Sequence, residues 1–293
     1  MTLSSSTYRE TLSWATAGSR LLLRVAAISR NPTAFAGLSV LVFWATVAVL
    51  APLISPYDPT AIDFSAAADP MPSWSHWLGN DSSGRDLLSR IIWGARTTYT
   101  VVPLAVGSAF ILGIALGVPA GYFGGWADTF ISRVSDVILA FPVLILYIIL
   151  ITALGPSLIN IIVAVTLSYA PGVSRLARGI TLSLREQDYI AAAQLRGESS
   201  LYIMLVEILP NARGPLLVDL CLRAGYTVIM VGTLGFLGLG LPPPTPDWGG
   251  MVVESAHFLS TYWHMSLFPC VAISSVVIAC NLLADSLRRD PGR

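Results

Sequence analysis

An all-α, polytopic membrane protein with six transmembrane helices is the fold class this sequence predicts. Three observations predict it. Hydrophobic residues make up 54% of the 293-residue chain and charged residues only 12%, a balance far from that of soluble domains. Uncharged apolar runs recur along the chain at the length of about 20 residues that crosses a bilayer. The 17 basic residues, all of them Arg, are divided unevenly among the segments joining those runs, as membrane topology demands.

The same composition excludes other classes. Without any Lys there is no Gly-Lys-Ser/Thr phosphate-binding loop, so driving energy must come from a partner or an ion gradient. Zero net charge gives no sign of nucleic acid. Cys221, Cys270 and Cys280 lie in apolar stretches and read as small buried hydrophobes. An intramembrane hydrolase would need a placed nucleophile and base. His264 stands alone near an interface, and neither G-x-S-x-G nor H-E-x-x-H occurs. An ion-coupled carrier should carry acids within its spans, yet the middle spans have none, and Asp219 and Asp285 lie near helix ends.

In chain order, residues 1–33 form a polar tail with Arg9, Arg20, Arg24 and Arg30, in which Leu21, Leu22, Leu23 and Val25 hint at a short interfacial helix. The first span is expected over 34–54; it is too long for a signal-peptide core and is read as a retained anchor. A Pro-rich segment, 55–96, follows, with Trp74 and Trp77 suited to a membrane interface. In it Asp81 and Asp86 flank Arg85, which reads as a local ion-paired turn. The second span, Thr97 to Val118, carries Gly113 and Gly117, with Gly121 four residues on. That spacing puts the three on one face, where helix backbones can approach closely.

Val137 to Ser174 is uncharged for 38 residues, and Gly155-Pro156 divides it into two helices of 18 residues, with Pro142 kinking the first. Leu216 to Leu241 spans again and bears Asp219 and Arg223 on one helix face. A lone charge at mid-membrane costs roughly 2.5–3.5 kcal/mol on insertion scales, so a buried structural ion pair is preferred here over a role in transport. Gly232, Gly235, Gly238 and Gly240 then allow close packing or an unwound stretch. Trp263 to Ala284 is the last span.

The stretch from Arg175 to Pro215 organises the rest. It lies between spans yet carries five Arg, three Glu and one Asp, and so long a connection is usually functional. Glu186, Gln187 and Asp188 put charge at a helix start, and Ala191, Ala192 and Ala193 continue the helix. Gly197 sits where a left-handed stop is expected. Ser199 or Ser200 can cap a second helix whose Leu201, Leu205, Ile208 and Leu209 share a face, and Pro210 ends it. The expected product is a hairpin-like plug that docks a soluble partner; the plainer alternative is a solvated amphipathic loop.

With six spans, the N-terminus, the 119–133 turn, the 175–215 loop and the C-terminal tail share one side and hold thirteen Arg, against Arg85, Arg90 and Arg96 on the other. That asymmetry makes the first side cytoplasmic.

The run Tyr189 to Ala193, then Gly197, then Ile208-Leu209-Pro210, resembles the EAA loop of binding-protein-dependent ABC importers, although the family's usual Glu falls on Ala191. Gly84, Arg85, Asp86, Ser89, Arg90, Gly94, Ala95 and Arg96 resemble the opening segment of the dipeptide and oligopeptide branch. Pro243-Pro244-Thr245-Pro246 with Trp248-Gly249 resembles one of its loops. The resemblance implies a type I ABC importer permease fold. It makes 97–285 a core permease domain of five spans, with 55–96 extracytoplasmic and 286–293 a cytoplasmic tail. It implies contact with an ATPase through Glu186, Asp188, Tyr189, Ala191, Ala192, Ala193, Gly197, Leu201, Tyr202 and Pro210. It also implies a homologous second permease subunit, two ATPase subunits that bind ATP and Mg, and an extracytoplasmic peptide-binding protein, in a bacterial inner membrane. No cofactor is expected in this chain. Nickel, glutathione and heme-like ligands share the branch.

Overall fold

The structure, a computed structural model, describes residues 31–64 and 69–289; the interfacial helix expected near Leu21 lies outside them. Among the described residues all extended regular structure is helical. Five helices are long and apolar enough to cross a membrane. These are α1 (Pro32–Ile54), α2 (Leu87–Phe123), α5 (Leu158–Arg185), α7 (Ser200–Phe236) and α9 (His264–Arg289). Three shorter helices between them are α3 (Gly125–Leu139), α4 (Val143–Leu154) and α6 (Asp188–Leu195), and α8 (Trp248–Ser255) follows α7.

A sixth span exists only if α3 and α4 are counted together, and they meet at 87°. The kink expected at Pro142 is therefore a break. Proline disfavours helical backbone at the residue before it, and Phe141 and Pro142 leave the helical path between Leu139 and Val143. Gly155 does end α4, with φ +85°, and Ser157 caps α5 through the Asn160 amide. The two helices are nevertheless 12 and 28 residues long rather than equal, because α5 continues past Ser174 into the charged loop. The second span likewise begins at Leu87, where Asp86 caps it through the Ser89 amide at 2.8 Å, so the last part of 55–96 is already helix. The last span runs on to Arg289, into the segment read as tail.

The glycine face of α2 lies against small residues of α5. A Cβ on Gly113 would fall 2.5 Å from Val173, one on Gly117 2.3 Å from the Ser174 carbonyl, and one on Gly121 2.8 Å from the Arg178 carbonyl. With no hydrophobic drive between helices in lipid, contact this close is what holds them. The main core gathers Val106 and Phe110 of α2, Val173 and Ala177 of α5, Leu216 and Val228 of α7, and Ala272 and Val276 of α9. A second core joins Tyr147 and Ile151 of α4 to Ile161 and Val165 of α5 and Leu234 of α7. The anchor α1 packs on α9: Trp44 donates to Ser275 at 2.8 Å, and Gly37 lies against Ala279.

Candidate functional site

The loop after α5 is a short helix closed by a glycine stop. Glu186 ends α5 rather than opening α6, Gln187 is the residue before α6, and Asp188 sits in its first turn. Ile190 and Ala193 are fully buried against the bundle. That turns Tyr189, Ala191, Ala192 and Leu195 outward, Leu195 with 90% of its surface exposed. Gly197 has φ +79°, and its amide donates to Gln194 O at 3.0 Å while Glu198 N donates to Ala193 O at 3.2 Å. Those two bonds are the Schellman stop of a helix, which needs a left-handed residue. Ser199 then caps α7 through the Tyr202 amide at 3.2 Å.

Pro210 does not end that helix. Ile203–Ile208 form a π-helical turn in which Leu209 N reaches back to Met204 O. The widened ladder accommodates a residue with no N–H, and α7 runs unbroken to Phe236. The extra residue also rotates the faces. Ile203, Met204 and Ile208 are buried, while Leu201, Tyr202, Leu205 and Val206 are exposed, so the grouping of Leu201 and Leu205 with Ile208 does not hold. The outcome is an apolar surface on charged scaffolding, with Arg196 near Glu198 and Glu207 at 3.7 and 3.5 Å.

Higher on α7, Arg223 Nε donates to Asp219 Oδ2 at 2.6 Å. The pair is not buried as expected: 20% of the Arg223 side chain and 23% of Asp219 remain exposed. Asp219 also borders a cavity of about 790 Å³ between α7 and α9, lined further by Pro215, Leu222, Asp285 and Arg288.

At the opposite end of the bundle the two loop segments lock together. Arg85 binds Asp81 through Nε at 2.7 Å and Glu254 at 2.9 Å, and Arg90 binds Glu254 at 2.7 Å and Asp81. Asp86 also holds His76 Nδ1 at 2.9 Å. What read as a local turn is thus a buried cluster reaching α8, which the sequence did not mark as a helix. Trp248 is buried and donates to Ile91 O at 3.0 Å. Asp247 caps α8 through the Gly250 amide, and burial pushes its carboxyl above the usual range. His264 is buried too, its Nε2 at 3.0 Å from Pro70 O. Removing one member of a buried charge cluster leaves the others unpaired. Arg90→Ala should therefore cost about 3–5 kcal/mol of stability, and adding Glu254→Gln, which leaves Arg85 paired with Asp81, should recover part of it. Thermal unfolding of the detergent-solubilised chain reads both; an unchanged midpoint for Arg90→Ala would contradict it. Among the described residues no group of three or more His, Cys, Asp or Glu could hold a metal.

Apolar spans are thus joined on one side by a helical loop with an exposed apolar surface and closed on the other by a buried ionic cluster. Residues 113–289 match the family described as binding-protein-dependent transport system inner membrane component, and the chain belongs to it. Residues 25–72 match the N-terminal TM domain of oligopeptide transport permease C. The chain is 38% identical to a dipeptide transport system permease protein of Alkalihalophilus pseudofirmus, over 89% of this chain and 86% of that one. It is 39% identical to a glutathione transport system permease protein of Pectobacterium atrosepticum, over 86% and 84%. A chain of the MetNI methionine ABC transporter, in inward-facing conformations, superposes with TM-score 0.56 at 19% identity, covering 71% of this chain and 97% of its own. That likeness establishes the ABC importer permease fold.

Proposed function

We propose that this permease carries dipeptides or oligopeptides inward, with an extracytoplasmic binding protein delivering them and two ATPase subunits supplying the energy. A second, homologous permease subunit completes the path. Both termini and the 175–215 loop face the cytoplasm, and ATP and Mg bind only in the partner ATPases. The observation that carries the coupling role is the Gly197-locked loop. It holds Tyr189, Leu195, Leu201, Tyr202 and Leu205 outward at fixed angles, a surface that suits a groove on a soluble partner. The peptide cargo is supported by the dipeptide relative. Glutathione is the second reading, favoured by a relative of similar identity. Closure of the ATPases would drag the loop and rock the spans as rigid bodies.

The test is purification of the assembled transporter in mild detergent. Two ATPase copies should accompany this chain, and the complex should take up a dipeptide in proteoliposomes at the expense of ATP. Nucleotide turnover by the isolated, homogeneous chain would overturn the division of labour. Dipeptide-independent uptake of glutathione alone would select the second reading.

Topology is checked separately in a chain with Cys221, Cys270 and Cys280 replaced. Cys introduced at Ser75 or Thr245, both exposed, should react with an impermeant thiol reagent in intact cells. One at Gln194, exposed on α6, should react only after lysis. The reverse pattern would invert the topology and take the docking loop away from the ATPase.

A further inference from the structure

One face of α7 sets charged and polar groups among apolar ones. Pro215, Asp219, Leu222, Tyr226, Ile229 and Thr233 recur at intervals of three or four residues and form one stripe. Tyr226 is 59% exposed, and Asp219 and Thr233 are partly so. Arg223 lies about 20 Å from the helix end at Phe236, and its partner Asp219 borders the cavity shared with Asp285 and Arg288. Charged groups within a span face a bundle interior or a water-filled space. The guanidinium lies over the Tyr169 ring at 5.2 Å and against Gly172, where a Cβ would come within 3.0 Å of it. Only its Nε is engaged by Asp219. The Tyr147 hydroxyl, beside Tyr169, is buried and meets no group at hydrogen-bond geometry.

We propose that Asp219 and Arg223 are a way-station for zwitterionic cargo on the translocation path. The terminal guanidinium nitrogens take the cargo carboxylate, and Asp219 takes its ammonium. The proposal rests on the peptide reading above. The spacing fits: residues four apart on a helix hold their Cβ atoms about 5–6 Å apart, and a dipeptide spans at most about 7 Å. A guanidinium fork also matches a carboxylate better than any other side chain does. Because the two protein charges neutralise each other when the site is empty, cargo enters by exchange with the internal pair and leaves when the pair re-forms.

The experiment uses the complete transporter in proteoliposomes, with dialanine and its C-terminal amide as probes. Arg223→Gln should raise KM for dialanine about tenfold relative to any change for the amide, the scale of one charge-assisted hydrogen bond. Arg223→Lys should do the same more weakly, and decides the matter if the Gln variant fails to accumulate. Equal losses for both compounds would make the pair structural and overturn the site. Independently of cargo, Tyr226→Cys and Thr233→Cys in the Cys-free chain should react with a water-soluble thiol reagent, while Ile111→Cys, on the outer face of α2, should not. Inert stripe cysteines with normal dialanine uptake would overturn the site and spare the peptide reading. Reactive ones in a transporter that moves neither probe would overturn the peptide reading and the zwitterion assignment with it.

Discussion

Gly117→Leu should leave little folded permease in the membrane, the largest loss expected of any single exchange in α2. A Cβ there would sit 2.3 Å from the Ser174 carbonyl oxygen and 2.9 Å from the Ala177 Cβ. The obstacle is backbone, not the movable end of a side chain, so α2 and α5 must separate. Separation also opens the contacts of Gly113 with Val173 and of Gly121 with Thr181, which lie on the same face. Overpacking a well-fitted core costs typically 1–3 kcal/mol and occasionally more, and here the strain falls on the helix pair that organises both cores. Gly107, on the same helix, has nothing within 4 Å of its would-be Cβ. Gly107→Leu therefore separates the steric argument from any general cost of a larger residue. Membrane abundance and thermal unfolding in detergent, measured for both variants, should differ sharply. Equal behaviour would mean that close approach at Gly117 does not hold these helices.

Gly197→Val should do the opposite: leave the chain in the membrane and stop transport. Nothing lies within 4 Å of a Cβ at this position, but φ is +79°. Left-handed backbone costs a residue with a side chain roughly 1–2 kcal/mol, and a β-branched one has the least room for it. The strain falls on a stop held by two backbone bonds, from Gly197 and Glu198, so the cheapest relief is to re-aim α6 and the start of α7. Ile190, Ala193 and Ile203 belong to one edge of the main core, so the re-aiming loosens that edge, while the glycine contact of α2 with α5 and the second core lie elsewhere. Tyr189, Leu195 and Leu201 would then no longer present one surface to the ATPase. Gly197→Asn, which tolerates left-handed backbone, should retain part of the uptake. Ala191→Glu should be tolerated, because Ala191 faces solvent. Membrane level, ATPase co-purification and dipeptide uptake decide it. Normal uptake by Gly197→Val with its ATPase bound would remove this loop from the coupling mechanism.

The sequence by itself determined what local chemistry determines. Spans follow from the length of uncharged runs, the close face of α2 from glycines spaced by four, and the stop after α6 from a glycine following an Ala-rich helix. Each depends on neighbours within a few residues, so each was legible. The tertiary structure alone decided what depends on distant partners. Asp81 and Arg85 read as a turn because Glu254, which completes their cluster, stands 169 residues from Arg85. Packing of α1 on α9 joins the two ends of the described chain and leaves no periodic trace. Pro142 and Pro210 show the same limit from two sides. A proline removes a donor in either place, but whether the helix breaks or continues depends on what packs around it. Between α3 and α4 the chain turns through 87°. Before Pro210 a π-helical turn, held by the buried Ile203, Met204 and Ile208, absorbs the missing bond and re-aims the side chains beyond it relative to Leu201 and Tyr202. One added residue per turn rotates a face by about 100°, so the exposed set of the docking loop was set by packing rather than by spacing.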